Sequence, residues 1–287
     1  MSLRRFILLC YTFVQWTWKY TQVQKECCLT SDDEDGETTE LSFMTINKYT
    51  VFFREIIADH MLGEGKKKKI GGPGLTVEVD ESMFGKRKYN RGTIEGRRQA
   101  WVLGGVCRET KEIFLVLCPE NKRDRATLEK IIMDNVEPGS TVYTDGWAAY
   151  KKLDECGYSW DFVNHSEEFV KTSNPSVHTQ SIEGCWFQVK RWLPSSGRYN
   201  LSFYLPVYLW SMDCARRGVS PFWELLNVLS KCDGSELFGL KTDSSSETVK
   251  VPSAIIPCLF CGKDCKGERG LNLHLKTCKI KNSHDNH

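Results

Sequence analysis

This chain has little net charge, no apolar run long enough to cross a bilayer and no cysteine pattern of a secreted scaffold. Its 39 lysines and arginines stand against 37 aspartates and glutamates, a formal net charge of +2. The overall balance therefore does not announce nucleic acid, and any charge-driven partner must be sought in local clusters. One stretch, Arg4-Arg5 followed by Phe6 to Val14, imitates a signal peptide. Gln15 interrupts it, Trp16 to Tyr20 are bulky, and no small-residue cleavage site follows. It is also too short to span a membrane, so a buried helix is the expectation. The 13 cysteines are scattered, apart from Cys27-Cys28 and a C-terminal cluster. Such usage fits a reducing compartment with one metal site better than a disulfide framework. Hydrophobic content of 40% and aromatic content of 11% suit a globular core.

Positive charge is concentrated. Lys66 to Lys69 is a run of lysines, and Phe84 to Arg98 holds Lys86, Arg87, Lys88, Arg91, Arg97 and Arg98 against Glu95 alone. A solvated charged hairpin is one reading of the second segment. Directly after the acidic residue Asp80, contact with a phosphate backbone is the favoured one, and such binding weakens steeply with salt.

Periodicity and turn chemistry give the organisation. Residues 2 to about 24 read as a helix, and Ser31 to Glu37 as an acidic break. Thr45 is the expected cap of a second helix from Ile46 to about Met61. This pair is either a helix-turn-helix-like module or two helices packed on the core; Lys48 and Arg54 are few for a recognition helix. The next elements expected are strands at Leu75–Asp80, Ala100–Cys107 and Glu112–Cys118, then a helix from Arg123 to Val136. A strand at Thr141–Asp145, a short helix from Trp147 to Glu155, a strand at Tyr158–Asn164 and a helix bearing Glu183 follow.

Three acidic residues stand out in that order. Asp80 and Asp145 end strands, and Glu183 lies early in a helix. Carboxylates so placed can converge and bind hard divalent cations through oxygen. Two such cations suit in-line phosphodiester chemistry. Glu183 shares a helix face with Phe187 and Lys190, seven residues on. That places Lys190 or Arg191 either on a DNA phosphate or on a solvated basic face. His165 and His178 are secondary candidates, the first at the margin of such a site and the second as a satisfied structural histidine. Glu81 neighbours Asp80, but strand alternation puts it on the opposite face.

The words around these residues carry a resemblance. Ile70-Gly71-Gly72-Pro73-Gly74, Val79-Asp80-Glu81-Ser82-Met83-Phe84-Gly85, Thr144-Asp145-Gly146-Trp147, Val163-Asn164-His165 and His178-Thr179-Gln180-Ser181-Ile182-Glu183 run in order between about Ile70 and Arg217. Together they resemble the ISXO-like transposase domain, the DDE domain of certain bacterial insertion sequences and of eukaryotic Merlin elements. The resemblance implies an α/β, ribonuclease-H-like mixed sheet flanked by helices, with a metal-binding Asp-Asp-Glu triad on Asp80, Asp145 and Glu183. It implies Mg²⁺ or Mn²⁺ as cofactor and DNA cleavage with strand transfer in the nucleus. Element ends and target DNA would be the partners, bound by a homo-oligomer, with no membrane involved. The alternative is a host-adapted, transposase-derived DNA- or chromatin-binding protein without transposition. Relatives often carry a zinc ribbon farther upstream; this sequence shows none, which points to incomplete recognition of element ends.

The expected domains are a helical module at 1–70, a transposase domain at 71–231, a linker at 232–257, a zinc finger at 258–278 and a tail at 279–287. The finger rests on Cys258, Cys261, His274 and Cys278, separated by two, twelve and three residues. These thiolates and imidazole suit tetrahedral Zn²⁺. The helix positions that usually face bases fall on Gly267, Gly270 and Leu273, so a structural or protein-binding finger is expected, or one holding phosphates.

Overall fold

A computed structural model describes residues 1–15, 19–27, 40–63, 68–85, 99–163, 174–194 and 200–232, with the backbone of 255–257 and 264–266. The chain divides into two compact units. One comprises Leu62–Leu193 with Tyr208–Arg216; the other comprises Met1–Met61, Pro194–Val207 and Arg217–His287. The backbone of Ile255–Pro257 pairs antiparallel with that of Asp264–Lys266. Among the described residues no helix is long and apolar enough to cross a membrane.

The second unit contains α1 (Leu3–Val14), α2 (Tyr20–Cys27), α3 (Phe43–Leu62, within the unit to Met61) and α7 (Pro221–Leu229). Two helices thus stand where one was expected from residue 2 to 24. The first is capped by the Ser2 hydroxyl and its last turn closes on Gln15. The third starts earlier than Thr45 because the Ser42 hydroxyl accepts the Thr45 N–H at 3.1 Å and so serves as the cap. Phe6 and Phe13 pack edge-on against the fully buried Phe53, and Tyr49 packs against it at a tilt.

The first unit is built on a five-stranded sheet in the order β3-β2-β1-β4-β5. Its strands are β1 (Thr76–Phe84), β2 (Ala100–Cys107), β3 (Ile113–Leu117), β4 (Thr141–Asp145) and β5 (Ser159–Val163). The first three form an antiparallel meander; β4 lies parallel to β1, and β5 parallel to β4. A mixed sheet in this order with helices on its faces is the ribonuclease-H-like arrangement. On one face Val77, Val79, Leu103 and Val142 pack against Leu128, Ile131 and Ile132 of α4 (Arg125–Asn135). Asp124 caps α4 by accepting the Thr127 N–H at 3.0 Å. On the other face α5 (Gln180–Trp192) buries Ile182, Cys185, Trp186 and Val189. A further helix, α6, runs Leu201–Arg217, of which Tyr208–Arg216 belong to this unit.

The helix expected from Trp147 to Glu155 is a tight turn at Ala148–Tyr150 followed by further turns. Tyr150 and Leu153 are both fully buried, and the Leu153 N–H reaches the Tyr150 carbonyl at 3.1 Å. Burial at a spacing of three favours the tighter i→i+3 winding over 3.6 residues per turn. β1 also runs four residues beyond Asp80, because β2 pairs with it as far as Phe84.

Candidate active site

The site is built on β1. Alternation sends Glu78, Asp80 and Ser82 toward α5 and Val77, Val79 and Glu81 toward α4. The three on the α5 side are polar, and each finds a partner one helical turn after the last. Glu78 is fully buried and accepts the backbone N–H groups of Ser181 and Ile182 at 2.7 and 3.1 Å. Trp186 Nε1 donates to Asp80 Oδ2 at 3.0 Å. Lys190 Nζ donates to Ser82 Oγ at 2.5 Å and lies 5.4 Å from the Phe84 ring centre. Two strand residues advance about 6.7 Å and four helix residues about 6 Å, so strand and helix keep step over this length. Gly104 on β2 makes the approach feasible: a Cβ there would lie 2.6 Å from the Trp186 ring.

Glu78 is the hub of this contact. It also accepts from the Ser181 hydroxyl at 2.9 Å and from Arg108 Nε at 2.6 Å. Arg108 in turn donates to the carbonyls of Ser176 and His178 and stacks over Tyr143. His178 Nδ1 sits 3.0 Å from Arg108 Nη2 and 3.5 Å from Glu78. A buried carboxylate at a helix N-terminus satisfies orphan N–H groups and meets the positive end of the helix dipole.

A second feature lies where β1 and β4 end their pairing. Registered pairing of β1 with β4 ends at Glu78↔Tyr143, while β4 stays paired to β5 through Asp145. The two strands fork there, and the fork is open to side chains from both faces of the sheet. Oxygens of Asp80, Glu81 and Asp145 lie within 4.8 Å of one another. Strand alternation had excluded Glu81 from the site. It does occupy the opposite face, and it reaches Asp145 because no backbone fills the fork.

Burial pushes the Asp80 carboxyl up to about 6, with Asp145 and then Glu183 adding to the rise; the Trp186 N–H opposes it. Burial pushes Glu81 up to about 7, Asp145 and Asp80 adding to it. The Tyr150 hydroxyl and Arg123 oppose that rise. Arg123 is held over the rings of Trp101 and Trp147, at 3.5 and 4.9 Å from their centres. The Trp147 N–H donates to Asp145 Oδ1 at 3.1 Å and fixes that carboxylate. Glu81 Oε1 is buried without a hydrogen-bond partner. Crowded carboxylates with an orphan oxygen, in an all-oxygen donor set, fit a hard divalent cation such as Mg²⁺ or Mn²⁺.

Residues 70–213 match the ISXO2-like transposase domain. The chain belongs to that family. It is similar to an uncharacterized transposase-like protein of Haemophilus influenzae, 34% identical over 82 residues. That alignment covers 29% of this chain and 63% of the relative. It is also similar to an uncharacterized protein in transposable element ISH50 of Halobacterium salinarum, 25% identical over an alignment of 203 residues that covers 67% of this chain and 63% of the relative. The chain thus spans less than two thirds of the length of either.

Within the transposase domain, Asp80 and Asp145 are brought together as the spacing predicts. Glu183 is exposed on the first turn of α5, its Oε1 accepting from the Thr179 hydroxyl at 3.2 Å. It acts electrostatically on Asp80 but stands outside the 4.8 Å group. Phe187 is exposed one turn further along, and Arg191 is exposed near the end of the helix. Lys86, Arg87, Lys88, Arg91, His165 and the four finger residues Cys258, Cys261, His274 and Cys278 lie outside the described residues. Sequence reasoning missed Glu78, Trp186, Arg123 and Tyr150 as parts of the site. A signal existed for Glu78 alone: a charged residue between two valines of a buried strand must have a partner.

Proposed function

We propose that the chain carries out metal-dependent DNA strand cleavage and strand transfer, cutting at the ends of its element and joining them to target DNA. The observation that carries this reading is the carboxylate cluster at the β1–β4 fork, with α5 docked beside it, inside a transposase domain. Asp80 and Asp145, with Glu183, would hold Mg²⁺ or Mn²⁺. When bound, such ions activate a water or DNA 3′-hydroxyl as nucleophile and stabilise the leaving 3′-oxygen.

The chain's own residues do the positioning. Trp186 fixes the orientation of Asp80 through its indole N–H, and the Trp147 N–H fixes Asp145. Glu78 ties down the start of α5, and with it the turn that bears Glu183. Lys86, Arg87, Lys88 and Arg91 follow Asp80 directly and are assigned to the DNA backbone, with Lys190 and Arg191 at the far end of α5. Phosphate contacts of this kind set register and orientation and carry no sequence information. Cys258, Cys261, His274 and Cys278 have the spacing of a Zn²⁺ site, a module suited to a protein partner or to phosphates. The setting assigned to this activity is the nucleus, with the protein acting as a homo-oligomer on DNA.

The test is cleavage and joining of DNA carrying the gene's own flanks, with Mg²⁺ or Mn²⁺, by wild type and by Asp80→Asn. Products from wild type alone support the reading. No products from a folded wild type that binds this DNA would transfer it to the host-adapted DNA- or chromatin-binding alternative.

A further inference from the structure

The family triad leaves three features of the fork unexplained. Glu81 puts its carboxylate within reach of Asp80 and Asp145 from the other face of the sheet. Its Oε1 is buried with no hydrogen-bond partner. The hydroxyl of Tyr150, a residue with no exposed surface, is likewise buried without one. Buried polar atoms are nearly always satisfied, and an orphan pair at one place points to something that completes it. Tyr150 and Glu81 lie close enough for each to act on the other's ionisation, yet stop short of a well-formed hydrogen bond.

We infer that Glu81, backed by the Tyr150 hydroxyl, is the third carboxylate of the cation seat in the DNA-free protein, with Glu183 outside that seat. The inference rests on the metal-dependent reading above and names its ligand set. Asp80 approaches the fork from the α5 face, Glu81 from the α4 face and Asp145 from the end of β4. Together they offer a hard cation oxygen donors from three directions. A carboxylate ligand has two oxygens, and the one turned from the ion needs a donor. Tyr150 is placed to supply it, since a neutral phenol can donate its proton to a carboxylate. Arg123, clamped over Trp101 and Trp147, adds positive charge on the same side. Glu183 is exposed on the first turn of α5, accepts from the Thr179 hydroxyl and stands outside the group of three.

Trp186 makes the seat directly readable, because its indole N–H contacts Asp80 at 3.0 Å. Terbium(III), a hard oxygen-seeking ion, should luminesce on tryptophan excitation when bound to the DNA-free full-length chain, and Mg²⁺ or Mn²⁺ should displace it. Glu81→Gln should weaken binding by tenfold or more, and Tyr150→Phe by about tenfold. Glu183→Gln should change it by less than about threefold, as expected for a group outside the ligand shell. Both Glu81→Gln and Tyr150→Phe are near-isosteric. Without cation, Glu81→Gln should melt at or above wild type, since it relieves repulsion among crowded carboxylates, while its gain on adding cation shrinks. Terbium binding that is lost in Asp80→Asn but intact in Glu81→Gln would overturn this inference and leave the metal-dependent reading standing. Glu183→Gln losing as much as Asp80→Asn would also overturn it. No terbium signal from wild type would remove the metal-dependent reading and this inference together.

Discussion

Replacing Glu78 by glutamine should loosen the start of α5 without dissolving the sheet. The wild-type carboxylate is fully buried and takes four hydrogen bonds, from Arg108 Nε, Ser181 N, Ser181 Oγ and Ile182 N, at 2.6, 2.7, 2.9 and 3.1 Å. Glutamine keeps the volume and one acceptor oxygen, but turns an NH₂ toward groups that are all donors. It also leaves the Arg108 guanidinium without its counter-charge. Hydrogen bonds to a charged group contribute about 1.5–3 kcal/mol each. Removing one partner of a buried ion pair costs about 3–5 kcal/mol. A local loss of about 3 kcal/mol corresponds to roughly a hundredfold faster exchange at the amides that depend on it. The assay is hydrogen exchange at the Ser181 and Ile182 amides, with the amides of Leu128 and Ile132 in α4 on the opposite face as internal reference. Protection should fall at 181–182 and hold in α4. Unchanged protection at 181–182 would refute the hub role of Glu78. An equal fall in α4 would refute the claim that the effect is local. Cleavage should fall with the exchange change, because Glu183 sits on the same turn.

Three further outcomes follow from the geometry. Asp80 and Glu81 hold protons up to about 6 and about 7, above the unfolded carboxylate range. Their contribution to stability is therefore full below about pH 4 and lost as pH rises through those values. Chelator-treated protein should melt at a lower temperature at about pH 8 than at about pH 5, and the difference should shrink in Glu81→Gln; an equal difference in the variant contradicts the assignment. Gly104→Ala places a methyl 2.6 Å from the Trp186 ring and 2.9 Å from Leu115. It should destabilise the domain by about 1–3 kcal/mol in urea titrations and shift tryptophan emission. Trp186→Phe removes the N–H that stabilises ionised Asp80, so the Asp80 midpoint, followed by carboxyl NMR, should move above about 6; a downward move would contradict the contact.

Local signals made most of the domain legible. The β2 bounds of Ala100–Cys107 and the β4 bounds of Thr141–Asp145 follow from short apolar or β-branched stretches bounded by turn residues. The apolar stripe Ile182, Trp186 and Val189 on α5, continued by Leu193 at its C-cap, is buried as its helical spacing requires. Departures came where tertiary burial overrode local preference. Residues from 147 to 155 wind tightly because Tyr150 and Leu153 are both drawn into the core. β1 outruns its apolar pattern because β2 supplies a partner through Phe84.

By itself the sequence determined the order of strands and helices and the placement of Asp80, Asp145 and Glu183 on them, since periodicity, turn chemistry and family motifs are local properties of the chain. Only the tertiary structure decided which carboxylates meet. Alternation assigns Glu81 to the face opposite Asp80, and that assignment is right, but β1 and β4 part after Glu78↔Tyr143 and the Glu81 carboxylate still comes within reach of Asp80 and Asp145. The partner of Glu78 lies more than a hundred residues away, at Ser181 and Ile182. Where neighbouring strands diverge, and what a buried charge finds there, depends on non-local pairing that no window of sequence contains.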